Sequence, residues 1–96
     1  MRRIAALAVL LVACARPTPP LVTSMDAQRS NIELVELQQG RKLLLGKCTN
    51  CHRAPMPSMH TAAEWPAKLD EMAARASLDF SQRSLIEKYL VTMSAH

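Results

Sequence analysis

No stretch of this 96-residue chain alternates polar with apolar positions; where apolar residues recur, they do so at three- and four-residue steps, which is the period of helix. From about Asn31 the steps run Leu37, Gly40, Leu44, Cys48 and predict a first helix with one inward face. Gly40 costs that helix about 1 kcal/mol of propensity against Ala, so it needs a compensating reason, such as close approach of another helix. Thr61-Ala62-Ala63-Glu64 is a capping-box pattern, followed by Trp65, Leu69, Met72, Ala73 and Ala76 on one stripe. A second helix starts there, with Pro66 in its first turn or delaying its start. Glu64, Lys68, Asp70, Glu71 and Arg75 fall mostly off the stripe and read as a solvated face. Asp79 or Ser81 caps a last helix, where Leu85, Ile86, Tyr89, Leu90 and Met93 form another apolar stripe. Between the first two helices, Arg53 to His60 is broken by Pro55 and Pro57 and cannot be regular helix.

The segments before Asn31 follow other rules. Met1-Arg2-Arg3 is charged and Ile4 to Ala13 is an apolar run, too short to span a bilayer but of the length and flanks of a secretory signal. The run ends Leu11-Val12-Ala13-Cys14, which resembles the lipobox of bacterial lipoproteins; Cys14 would then carry acyl chains and become the new N-terminus. Ala13-Cys14-Ala15 also fits an ordinary signal-peptidase site, releasing a soluble protein from Arg16; the absence of a polar spacer before Cys14 favours lipidation. Residues 15–30 hold Pro17, Pro19 and Pro20 with little apolar periodicity and read as a tether, with Met25 part of it. Extended proline-rich backbone would hold the globular part away from the bilayer surface. The organisation is therefore a signal peptide over 1–13, a lipidated N-terminus and tether over 14–30, and one small all-α domain of three to four helices over 31–96.

Cleavage before Cys14 removes Arg2 and Arg3 and takes the formal charge from +4 to +2. No run of Lys or Arg remains to read as a nucleic-acid stripe, and net charge alone points to no partner. One Trp, one Tyr and one Phe give the domain few large side chains for a core, so a scaffold this small calls for a staple or a bound apolar group.

Cys48-Thr49-Asn50-Cys51-His52 supplies one. C-x-x-C-H is the attachment signature of a c-type haem: thiols three apart reach the two vinyl groups along one porphyrin edge, and His52 then lies under the iron. Other chemistries of the pair fit less well. A redox dithiol belongs in a βαβ context, which is missing here. Zinc would need four ligands, and His60, His96 and Cys14 have no finger-like spacing to Cys48 and Cys51. A disulfide between cysteines three apart closes almost no chain.

With this motif, Gly40 eight residues before Cys48 and Leu44 four before it, the chain resembles class I cytochromes c from about Leu37 to Leu90; Leu44 is aliphatic where that family commonly has an aromatic. The resemblance implies a small cytochrome c-like fold around one covalently attached haem c, loose without it. It implies a terminal helix crossing the first at Gly40 with an aromatic-Leu pair, here Tyr89-Leu90. It also implies a proline carbonyl receiving the free N–H of the proximal imidazole, for which Pro55 is the counterpart, or else plain loop stiffening. Trp65 and Leu69 would pack on the porphyrin face.

The sixth iron ligand decides between electron transfer and ligand binding. Four residues span at most about 14 Å, which all but excludes Met56 after His52; Met59 and His60 are strained, and Met72 has ample slack. In similar short domains a helical Met about seven residues after a Trp-Pro is the ligand, which places Met72 first, Met59 next and His60 third, against the ordinary reading of Met72 as core. Met93 reads as core between terminal helices, and His96 sits at a frayed end. The expected function is single-electron transfer on the periplasmic side of a bacterial membrane, with redox proteins as partners, no small-molecule substrate, and no enzymatic step. Arg41, Lys42, Lys47 and Arg53 would rim the haem edge for an acidic partner or form a solvated face. The alternatives are a haem-based CO, NO or O2 sensor or carrier with a weak sixth site, the cytochrome subunit of a larger periplasmic oxidoreductase, and a lipoprotein without haem.

Overall fold

The three- and four-residue steps from Leu37 to Cys48 become one buried helix face. A computed structural model describes residues 18–48 and 54–94, and in it α2 runs Leu34–Lys47 with Leu37, Gly40 and Leu44 buried and Cys48 as its C-cap. A short α1, Ser24–Ser30, precedes it; a 3-10 turn Pro57–Met59, then α3, Trp65–Arg75, and α4, Phe80–Met93, follow. Among the described residues there is no strand, so this part of the chain is all-α.

α2 packs chiefly against α4. Gly40 is where the two backbones meet: a Cβ there would strike the Leu85 carbonyl oxygen and lie 2.9 Å from Tyr89 Cβ. Only hydrogen fits, and the propensity lost at Gly40 is exchanged for that approach. α4 starts at Asp79, whose carboxylate accepts the Gln82 N–H at 2.8 Å while the Gln82 side chain accepts the Asp79 N–H at 3.1 Å. It buries Ile86, Tyr89, Leu90, Thr92 and Met93. Leu85, assigned to the same stripe, is only partly covered.

The Thr61–Glu64 pattern does close on itself, at 2.9 and 3.3 Å, but it forms a turn ahead of the helix. α3 begins at Trp65, with Pro66 in its first turn where a missing N–H is harmless. One member of the expected solvated face has structural work: the Asp70 carboxylate lies 2.7 Å from Arg83 of α4. Arg83 also donates to the Pro66 carbonyl and to Glu87, tying both helices through one planar guanidinium.

Residues 18–30 depart most from expectation. The segment read as a tether is folded onto the domain wherever it is described. Arg41 Nε donates to the Pro19 carbonyl at 3.0 Å, the Tyr89 hydroxyl to the Pro20 carbonyl at 2.6 Å, and Arg29 Nη1 to the Thr92 carbonyl at 3.2 Å. Pro19 is buried. Prolines lack N–H donors but keep their carbonyls, and α2 and α4 use those. Burial raises the Tyr89 phenol to about 12 against the pull of Arg41, so it stays a neutral donor.

α1 is nucleated by a second capping box, Thr23 with Asp26. The Asp26 carboxylate accepts the Thr23 N–H at 2.9 Å and Arg29 Nη2 at 2.6 Å. The Thr23 backbone bond and then the Arg29 bond lower the Asp26 pKa although burial opposes them. A lowered carboxylate pKa gives stability that is full above the ordinary value of 3.8 and lost as pH falls through the folded one. Asp26→Asn is therefore expected to cost about 1 kcal/mol at neutral pH. In urea titrations across pH the deficit should close as the solution is acidified below pH ~4, where the wild-type carboxylate protonates. A deficit constant with pH would show that charge at Asp26 is irrelevant.

Candidate functional site

α2 delivers Cys48 to the interior. The residue is 6% exposed and belongs to one apolar cluster with Leu44, Ala54, Trp65, Leu69, Ile86, Tyr89, Leu90 and Met93. Ala54, the first described residue after the motif, lies in that cluster too, and Pro55 beside it is buried. Cys51, His52 and Arg53 lie outside the described residues, as does Cys14.

Trp65 organises the chain that follows Ala54. It is fully buried, and its indole N–H donates to the Pro57 carbonyl at 2.9 Å, pinning the 3-10 turn to the start of α3. The His60 ring stands edge-on to the indole, centroids 4.8 Å apart, with Nδ1 3.9 Å from the Glu64 carboxylate. The Thr61 N–H is the main cause that lowers the Glu64 pKa, with Thr61 hydroxyl, His60 and Lys68 helping.

The three proposed sixth ligands have different surroundings. Met59 is 61% exposed, and its sulfur accepts the Met56 N–H at 3.3 Å, closing its own turn. His60 is held against Trp65. Met72 is half-buried on α3 and packs against the cluster that contains Cys48. Leu69, one turn before it, is fully enclosed. Met93 is a buried cluster member.

These residues suit a haem bound through the motif. An apolar cluster borders the first thiol, Met72 offers a thioether on a rigid helix at that cluster's edge, and Leu43, Leu45 and Leu78 are partly covered apolar neighbours. Cys48, Cys51 and His52 would hold the group, and Met72 is available as a further ligand.

The four cations assigned to a docking rim separate. Arg41 is committed to the Pro19 carbonyl, and Arg53 is outside the described residues. Lys42 and Lys47, with Gln39, Leu43, Gly46 and Leu85, line an open groove of about 730 Å³. Leu43, which packs against the cluster, forms part of the groove's wall, and Gly46 is on its exposed side. The Tyr89 hydroxyl and the Arg41 guanidinium hold the N-terminal segment, whereas the sequence pattern marks Arg41 as a rim cation and Tyr89 as an apolar-stripe residue; Thr23-x-x-Asp26 is the pattern that marks a helix start there.

No family model matches the chain, and the comparisons with curated proteins and with solved structures likewise found no match.

Proposed function

We propose that the chain is a membrane-anchored monohaem c-type cytochrome with a cytochrome c-like fold, carrying single electrons between redox proteins. The observation that carries this reading is the C-x-x-C-H motif itself, whose first cysteine, Cys48, is buried in one apolar cluster with Ala54, with Met72 packed against that cluster. When bound, haem supplies one-electron chemistry at its iron, with no substrate bond made or broken. The chain's residues do the rest. Cys48 and Cys51 fix the group covalently and His52 coordinates it. Trp65, Leu69 and Leu44 keep water from Cys48. Met72 would supply a thioether ligand, which favours the reduced metal. Lys42 and Lys47 give an acidic partner a place to approach.

The test is an optical spectrum, oxidised and reduced, of the chain matured by cytochrome c assembly machinery. Wild type should show covalent haem that survives acid-acetone extraction, and the weak far-red band that marks Met ligation in the resembled family. Met72→Ala should lose that band. If the band persists, the ligand is another Met, with Met59 next. A high-spin wild type that takes up CO at once would replace the electron carrier with a gas-binding protein, and Cys48→Ser with Cys51→Ser that still retained all its haem would remove the covalent site.

A further inference from the structure

We infer that residues 18–25, together with the 3-10 turn beside them, form a face that rests on the lipid bilayer, so that the domain is docked on the membrane and not suspended from it. The inference rests on the proposed acylation of Cys14 and is independent of the haem.

Chain length carries the argument. Were residues 14–30 a free tether, the domain would range about 58 Å from its anchor at full extension. Pro19 and Pro20 are instead fixed by Arg41 of α2 and Tyr89 of α4, through bonds of 3.0 and 2.6 Å. Only the stretch from Cys14 to Pro19 is left to span, at most about 18 Å. That is shorter than a small helical domain is wide, so the end of the domain carrying Pro19 must lie against the surface that holds the acyl chains.

The side chains at that end suit an interface. Leu21 and Met25, four residues apart around the start of α1, are 73% and 74% exposed. Beside them an open groove of about 430 Å³ is lined largely by Pro20, Met56, Pro57 and Met93. Met59, 61% exposed, continues the same turn. Phe80 is the contrast: it is 84% exposed but opens α4, about 20 Å along the helix axis from Met93. Apolar exposure alone thus does not mark the face; nearness to the anchored end does.

The experiment uses the full mature chain in vesicles of phosphatidylethanolamine and phosphatidylglycerol doped with a diazirine-headed phospholipid, photolysed and mapped by peptide mass spectrometry. Intact mass comes first. A chain without acyl chains on Cys14 refutes the anchor and this inference with it. In acylated protein, adducts are expected on the peptide holding Leu21 and Met25 and on the one holding Met56 to Met59, with the Phe80 peptide at background. Arg41→Ala combined with Tyr89→Phe releases the N-terminal segment; labelling should then persist at Leu21 and fall severalfold at Met56 to Met59. Acylated wild type that labels Met56 to Met59 no more than Phe80 overturns the docked arrangement and leaves the anchor standing.

Discussion

Trp65→Ala should lower stability by about 3–5 kcal/mol, read as a shift of the urea midpoint against wild type prepared in the same way. The side chain is fully buried and carries two loads. Its ring fills the centre of the cluster that reaches Cys48 and Ala54, so truncation leaves a cavity that the short helices around it cannot close. Its N–H also satisfies the buried Pro57 carbonyl at 2.9 Å. Trp65→Phe separates the two: it keeps much of the volume and abandons the carbonyl, for a loss of about 1–3 kcal/mol. Equal losses in both variants would mean that the hydrogen bond, not the packing, holds the 3-10 turn in place. A loss under about 1 kcal/mol in Trp65→Ala would refute its central place.

The two glycines of α2 should respond to the same substitution with opposite signs. At Gly40 an added methyl meets the Leu85 carbonyl, a backbone group that cannot swing aside. α2 and α4 must separate, at a net cost of about 2 kcal/mol or more in Gly40→Ala even after helix propensity returns about 1 kcal/mol. At Gly46 nothing lies within 4 Å of the added carbon. Gly46→Ala should stabilise by up to about 1 kcal/mol through propensity and a less disordered unfolded chain. Chemical denaturation of the pair reads both. A neutral Gly40→Ala would mean that the helices do not need their present approach.

What the sequence disclosed follows from where its signals are local. The stripes of α2, α3 and α4 are set by helical period, and burial of Leu37, Leu44, Trp65, Leu69, Ile86 and Tyr89 follows it. Asp79 announces α4 because a cap is settled within four residues. Residues 18–30 were misread for the opposite reason. Their proline content favours extended chain, but whether such a chain floats or docks depends on donors far away, Arg41 and Tyr89. No window of neighbouring residues contains that information. Asp70 is a similar case, since its partner Arg83 lies on the next helix. At the site, spacing marks Cys48, Cys51 and His52 as a set, whereas the surroundings of the methionines were not legible: the Met59 sulfur accepts its own turn's N–H, and Met72 packs against the apolar cluster.

The burial of Cys48 also orders events in time. A thiol 6% exposed at the end of α2 presents little surface to a reagent or assembly factor approaching the closed domain. Covalent chemistry at that sulfur belongs to the interval before α2 and α4 have closed over it, or to later moments when that end of α2 opens locally. If haem is attached there as proposed, attachment and folding of this chain would compete, and the speed with which the helices meet at Gly40 would set how long the sulfur stays within reach.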